Sequence, residues 1–215
     1  MVEATAERQE QAQRVIFGLR ATYPDADCEL NFTNPLELVV ATILSAQCTD
    51  ERVNQVTQDL FRRYRTAADY AAVPQETLEQ EIHATGFFRQ KARSVRAMGQ
   101  MLVDRFGGEV PSTMDEMTEL PGVARKTANV VLGTSMGIAS GIVVDTHVRR
   151  LSYRLDLSDQ TDPEKVERDL MAVVPQQDWI WFGHAMIWHG RRICHARRPD
   201  CANCPLLADC PKRGV

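Results

Sequence analysis

Cys194, Cys201, Cys204 and Cys210 constrain the fold of this chain more than any other feature. They read C-x6-C-x2-C-x5-C within seventeen residues, in a sequence that holds six cysteines in all. Four thiols on so short a segment can turn inward on one centre, and the segment must then close on itself around them. Thiolates select zinc or iron–sulfur clusters. A zinc ribbon brings two close Cys pairs together from a distance, whereas here one C-x-x-C stands between two single arms. A cubane is wider than a lone zinc ion and suits loose, unequal spacers. The spacing therefore favours iron–sulfur and leaves zinc as the alternative. Disulfides would need an oxidising compartment. The segment MVEATAERQEQAQRVIF is charged and acidic, unlike a secretory signal or a transit peptide. Cys28 and Cys48 read as small buried thiols.

A chain of 215 residues can build one large or two small domains with a real core. The longest apolar run, 38–46, is too short to span a membrane. A soluble, cytoplasmic, monomeric protein with no membrane partner is expected. The net charge of −4 argues mildly against nucleic acid, but its distribution matters more. Acid dominates early, at Glu3, Glu7, Glu10, Asp25, Asp27 and Glu29. Base clusters at Arg89, Lys91, Arg93 and Arg96, at Arg125–Lys126, and late, at Arg149, Arg150, Arg154, Arg191, Arg192, Arg197, Arg198, Lys212 and Arg213. Each run alone reads as a solvated face; three beside loop motifs suggest a groove that tracks phosphates.

The pattern is helical almost throughout, and the fold class is all-α. Val15, Ile16 and Leu19 form one stripe on a helix over 7–23. Asn34–Pro35 gives an N-cap with proline at the first helical position, opening an apolar, central helix over 35–47. Further helices are expected over 50–64, 74–85, 89–106, 112–119, about 124–136, 145–155, 163–173 and 178–189. Ile142, Val143 and Val144 are apolar but too few to carry a sheet.

Leu120-Pro121-Gly122-Val123-Ala124-Arg125-Lys126-Thr127-Ala128 joins two of these helices. Proline ends the first helix and Gly122 permits the backbone of a tight turn. The second helix then begins with unsatisfied N–H groups, a ready phosphate site through backbone donors and dipole. Contacts of that kind grip nucleic acid at any sequence. Taken alone, the segment is equally compatible with a plain helical corner.

This segment, the following Val143-Val144-Asp145-Thr146-His147-Val148-Arg149-Arg150 and the cysteine loop together resemble the endonuclease III family. These are bifunctional DNA glycosylase/AP lyases of the helix-hairpin-helix superfamily. Leu44-Ser45-Ala46-Gln47-Cys48-Thr49-Asp50 and Gly86-Phe87-Phe88-Arg89-Gln90-Lys91-Ala92 also match, so the resemblance runs from about residue 31 to 210. It implies two helical domains with a DNA-binding cleft between them. One is a six-helix barrel over 29–138 that carries the helix-hairpin-helix at 113–136. The other is an iron–sulfur domain made of an N-terminal helix within 1–28 and residues 139–215, with the cluster loop at 194–210. It also implies one 4Fe-4S cluster on the four cysteines.

The activity so implied is removal of oxidised pyrimidines, such as thymine glycol, from duplex DNA, followed by cleavage 3′ to the abasic site. Lys126 corresponds to the nucleophile, and only an amine can form the Schiff base that the lyase step needs. Asp145 corresponds to the carboxylate that stabilises sugar charge and shuttles protons; it is also a good helix N-cap. Gln47 corresponds to the plug that fills the space of the everted base, and Phe87 to a second wedge. Gly122, Ala124, Arg125, Lys91, His147, Arg149, Arg191 and Arg197 are candidate DNA contacts; Ser45 and Asp50 are candidate pocket groups. Ala124 departs from the family's usual glycine, and DNA binding would weaken if that position needed a positive φ or a very close phosphate.

Two rivals follow. A monofunctional adenine DNA glycosylase of the same superfamily shares the cluster but has a catalytic glutamate near 47–50 and no such lysine. Lys126, the absence of Glu from 47–50 and the lack of a further C-terminal domain argue against it. A non-enzymatic iron–sulfur DNA-binding redox sensor would have no use for Lys126 and Asp145.

Overall fold

The structure, a computed structural model, describes residues 5–215, so Glu3 and the first residues of segment 1–28 lie outside the described residues. The described residues form α-helices and short 3-10 turns with no strand. The helices are α1 (Ala6–Thr22), α2 (Pro35–Leu44), α3 (Asp50–Arg63), α4 (Ala67–Ala72), α5 (Gln75–Glu81), α6 (Phe88–Phe106), α7 (Met114–Glu119), α8 (Arg125–Met136), α9 (Thr146–Arg154), α10 (Pro163–Val173) and α11 (Trp179–Arg192). No helix among the described residues is long and apolar enough to cross a membrane.

The chain divides into two compact units, one of residues 29–138 and the other of 1–28 with 139–215. The 29–138 unit holds α2 to α8. Asn34 caps α2 by accepting from the Glu37 N–H at 3.0 Å, with Pro35 at the first position. The helix then buries Leu38, Val39, Val40, Ala41, Ile43 and Leu44, which places it at the centre of the unit. It stops at Leu44, short of the expected 47, because Gln47 takes a left-handed φ of 52°.

Where the resemblance implies six helices, this unit holds seven, three of them only six or seven residues long. Sequence periodicity passes over α4. Its start is a capping box in which Thr66 accepts from the Asp69 N–H and Asp69 accepts from the Thr66 N–H. The same carboxylate accepts the Arg65 N–H, and these bonds hold the Asp69 carboxyl below its ordinary range.

The second unit packs α1, α9, α10 and α11 around Val15, Leu19, Val148, Leu151, Leu170, Phe182 and Met186. Ile142, Val143 and Val144 are buried as irregular chain, so their apolar character serves this core and no sheet. Trp179, Trp181 and Trp188 pack against the same core. The first two donate their ring N–H to Val174 O and Tyr23 O at 2.8 and 2.9 Å. The guanidinium groups of Arg20 and Arg192 lie over Trp181 and Trp188, 3.5 and 4.0 Å from the ring centres. These rings therefore hold arginine as well as core.

Leu206 brings the cysteine loop onto this core. It is 1% exposed, a burial that stabilises by about 1.5–3 kcal/mol. Its Cδ2 lies 2.4 Å from where a Cβ on Gly18 would sit, so a larger residue on α1 would push the Leu206 side chain aside. Gln11 ties the same helix to the end of α9 and to the cysteine loop by donating to Leu155 O at 3.1 Å and Asp209 O at 2.7 Å.

Candidate functional site

The expected hairpin is present. α7 ends before Leu120, the Val123 N–H returns to Leu120 O at 3.0 Å, and α8 begins at Arg125. Gly122 sits at φ 83°, and a Cβ there would lie 2.8 Å from Ser94 Cβ, so both backbone and space demand glycine. Ala124 is the N-cap of α8 with φ −90° and ψ 168°. That is extended backbone open to any residue, so the departure from glycine costs the turn nothing. Alanine has no side-chain acceptor, and α8 starts without a side-chain cap. Gly122, Ala124 and Lys126 are exposed and Arg125 is half-buried. Lys126 is thus the second residue of a helix that begins without a side-chain cap, the kind of start that suits an anion.

Asp145 takes the opposite part at α9. Its Oδ1 accepts from the N–H groups of His147 and Val148, both at 2.8 Å. The carboxylate is half-buried and fixed by its own helix. His147 Nδ1 lies 3.2 Å from the Arg150 guanidinium.

Lys91 corrects the expectation of a DNA contact. It is 4% exposed, and its Nζ donates to Leu44 O at 2.7 Å and Thr85 O at 2.8 Å. An ammonium so engaged is not free for phosphate. Arg96 in the same stretch is also turned inward, its Nε donating to Val73 O at 2.7 Å, whereas Arg89 and Arg93 are exposed.

The late basic cluster divides in the same way. Arg149, Arg191 and Arg197 are exposed. Arg150 instead donates to Gly190 O at 2.9 Å and Cys194 O at 2.8 Å. Arg154 is 6% exposed and donates to Cys194 Sγ, His195 O and Ala196 O at 3.3, 2.7 and 3.1 Å. Arg213 pairs with Asp156 and Asp159, which also hold Arg8. Arg150, Arg154 and Arg213 are thus fasteners of the fold. The fourfold spacing of Arg150 and Arg154 on α9 puts both on one helical face, a signal that sequence reading can use.

Gln47 and Phe87 are both exposed, Phe87 at 66%, and both take left-handed backbone, φ 52° and 47°. Phe88, by contrast, is half-buried and stacks on His83 at 4.4 Å between ring centres. Ser45 Oγ donates to Thr42 O at 2.9 Å, and half-buried Asp50 is the first residue of α3. Cys28 and Cys48 are half-buried and not fully enclosed as expected.

Cys194, Cys201, Cys204 and Cys210 all line one apolar hollow with Leu151, Ile193 and Leu207. Burial pushes the Cys204 and Cys210 thiols up, and the neighbouring cysteines push the same way. His189 reaches Cys204 Sγ with Nε2 at 3.5 Å and the Tyr23 hydroxyl with Nδ1 at 3.2 Å; burial lowers its pKa to about 4. Among the described residues no three His, Cys, Asp or Glu side chains are grouped to hold a single metal ion. The four thiols line one hollow, and thiolates are soft donors of the kind that an iron–sulfur cluster takes.

Comparison with known proteins gives one family. The model of the HhH-GPD superfamily of base excision DNA repair proteins matches residues 40–176. Endonuclease III of a Synechocystis species is 49% identical over 211 residues, covering 98% of this chain and 96% of the relative. Endonuclease III of Bacillus subtilis is 49% identical over 189 residues, covering 87% and 86%. A solved structure of a trapped endonuclease III–DNA covalent intermediate superposes with a TM-score of 0.88 at 47% identity, over 94% of this chain and 96% of that one.

Proposed function

The chain belongs to the endonuclease III family of the HhH-GPD superfamily of base excision DNA repair proteins, and from that premise we propose that Lys126 is its nucleophile and Asp145 the carboxylate that serves it. The protein is a DNA glycosylase with AP lyase activity. The observation that carries the assignment is the placement of Lys126, an exposed amine in the first turn of a helix that no side chain caps, just after the left-handed Gly122. A phosphate at that helix start brings a deoxyribose to the amine.

The uncharged Lys126 amine attacks C1′, and the bond from C1′ to the base breaks. The base leaves with the electron pair and is protonated. The ring then opens to an iminium. Loss of a C2′ proton turns the iminium into an enamine; its electron pair then returns to form a C2′=C3′ bond and breaks the C3′–O bond, so the 3′ phosphate leaves and the strand is cut. Asp145 faces developing positive charge on the sugar and handles protons in both steps. Its two backbone donors keep the carboxylate in one place. Gln47 and Phe87 fill the space left by the everted base; their exposure on left-handed turns supports this role.

The substrate is duplex DNA carrying oxidised pyrimidines or abasic sites, handled by a cytoplasmic monomer. Arg125, Arg149, Arg191 and Arg197 meet the backbone phosphates. Cys194, Cys201, Cys204 and Cys210 would hold one 4Fe-4S cluster, for which a ring of four soft thiols around a hollow is a fitting donor set. When bound, the cluster cross-links the loop and fixes the segment that bears Arg197.

Borohydride trapping tests the reading. Wild-type protein on an abasic duplex should give a covalent adduct that Lys126→Ala abolishes and Cys28→Ser keeps. Wild type without an adduct would transfer the case to a monofunctional glycosylase. Elemental analysis should return iron; zinc would overturn the cluster.

A further inference from the structure

Lys91 stands against two ordinary rules. It lies in the first turn of α6, where the helix dipole disfavours a cation, and it is 4% exposed although lysine is rarely buried. Burial holds its pKa below the ordinary lysine value. What this position gains is a pair of acceptors. Leu44 is the last residue of α2 and Thr85 the last of the 3-10 turn His83–Thr85. Their carbonyls are orphans at helix C-terminal ends, where a cation is favoured. One ammonium therefore joins the ends of two separate elements.

Each end leads at once into a turn with an exposed left-handed residue. Gln47 follows Leu44 by three positions and Phe87 follows Thr85 by two. A non-glycine residue there costs roughly 1–2 kcal/mol, and such backbone persists where its surroundings over-determine it. One turn further along α6, Ser94 packs against Gly122 of the hairpin. The start of α6 thus touches three segments that the proposed function turns toward DNA.

We infer that Lys91 is a positioning residue that presets Gln47 and Phe87 for entry into the duplex by fastening both of their turns to one buried ammonium. The inference rests on the reading of Gln47 and Phe87 as gap-filling residues. Its physical gain is preorganisation. Eversion already costs a few kcal/mol of unstacking, and a wedge that must be ordered at the same moment adds its own entropy.

The test uses the full chain and a duplex with a tetrahydrofuran abasic analogue opposite 2-aminopurine, whose fluorescence reports insertion beside it. Wild type should change that signal on binding. Lys91→Met, similar in length but without donors, should lose most of the change and, on a second duplex that carries thymine glycol, slow single-turnover release of that base by roughly 10- to 100-fold, as misplacement of about 1 Å does. Leu60→Val, a core variant of the same unit, is the control for stability. A full insertion signal in Lys91→Met overturns the inference, and so does an equal loss in Leu60→Val at matched unfolding midpoint. If Lys91→Met fails to fold, Lys91→Gln keeps a donor for one carbonyl and should show an intermediate loss; wild-type insertion there is equally fatal. Gln47→Ala and Phe87→Ala isolate the premise. If both insert and excise as wild type, the gap-filling reading falls first and this inference falls with it.

Discussion

The two helices that begin at the proposed catalytic residues begin in opposite ways. α8 starts behind Ala124, with no side-chain cap. α9 starts behind Asp145, whose carboxylate takes the N–H groups of both His147 and Val148. An open start leaves its donors for a ligand from outside; a closed one uses them to hold its own side chain still. The chemistry asks for this division. In the proposed mechanism phosphate comes and goes at α8, whereas the carboxylate at α9 must not wander. An uncapped start costs about 0.5–2 kcal/mol of helix stability relative to Ser or Asp, which is the measure of what α8 forgoes.

Asp145→Asn is the sharpest way to break the comparison. Asparagine caps as well as aspartate, so the fold of α9 should survive while excision falls by roughly 10²- to 10⁴-fold. A rate near wild type would reduce Asp145 to a cap. Arg154→Met probes the far end of α9. It strips three acceptors of their donor, each loss being about 1–3 kcal/mol. Thermal unfolding should show a fall of several kcal/mol, and visible absorbance should show that the variant retains less of the proposed cluster.

Ala124→Asp closes the open start. It should stabilise α8 by about 1 kcal/mol and yet weaken DNA binding, measured by anisotropy, by about tenfold, because its carboxylate takes the donors and repels phosphate. Tighter binding would mean that the start of α8 is not where phosphate sits. Ala124→Gly should have the smallest effect, within about twofold in affinity, because the extended backbone at that position asks nothing of glycine.

What was legible in the sequence had a local cause. The cysteine spacing, the Pro121–Gly122 turn and the caps at Asn34 and Asp145 each follow from residues a few positions apart, and each is where it was expected. What was not legible depends on which way a long side chain turns. Lys91, Arg150 and Arg154 read as surface base because their neighbours are basic, but all three end on backbone carbonyls from distant segments. The fourfold spacing on α9 held a hint of this; nothing near Lys91 did. α4 is illegible in the sequence for a different reason. Two turns are too short to show a period, although Thr66 and Asp69 do spell its capping box.

The bond from Gln11 to Asp209 O has a consequence during synthesis. The 29–138 unit is continuous and can fold as soon as it clears the ribosome. The other unit is interrupted by it, so α1, though translated early, must wait for its partner. Asp209 comes 187 residues after Thr22, the last residue of α1, a delay of roughly 9–37 s at ordinary elongation rates. During that wait the apolar stripe of α1 is unsheltered, and the nascent chain is most exposed to chaperones and proteases.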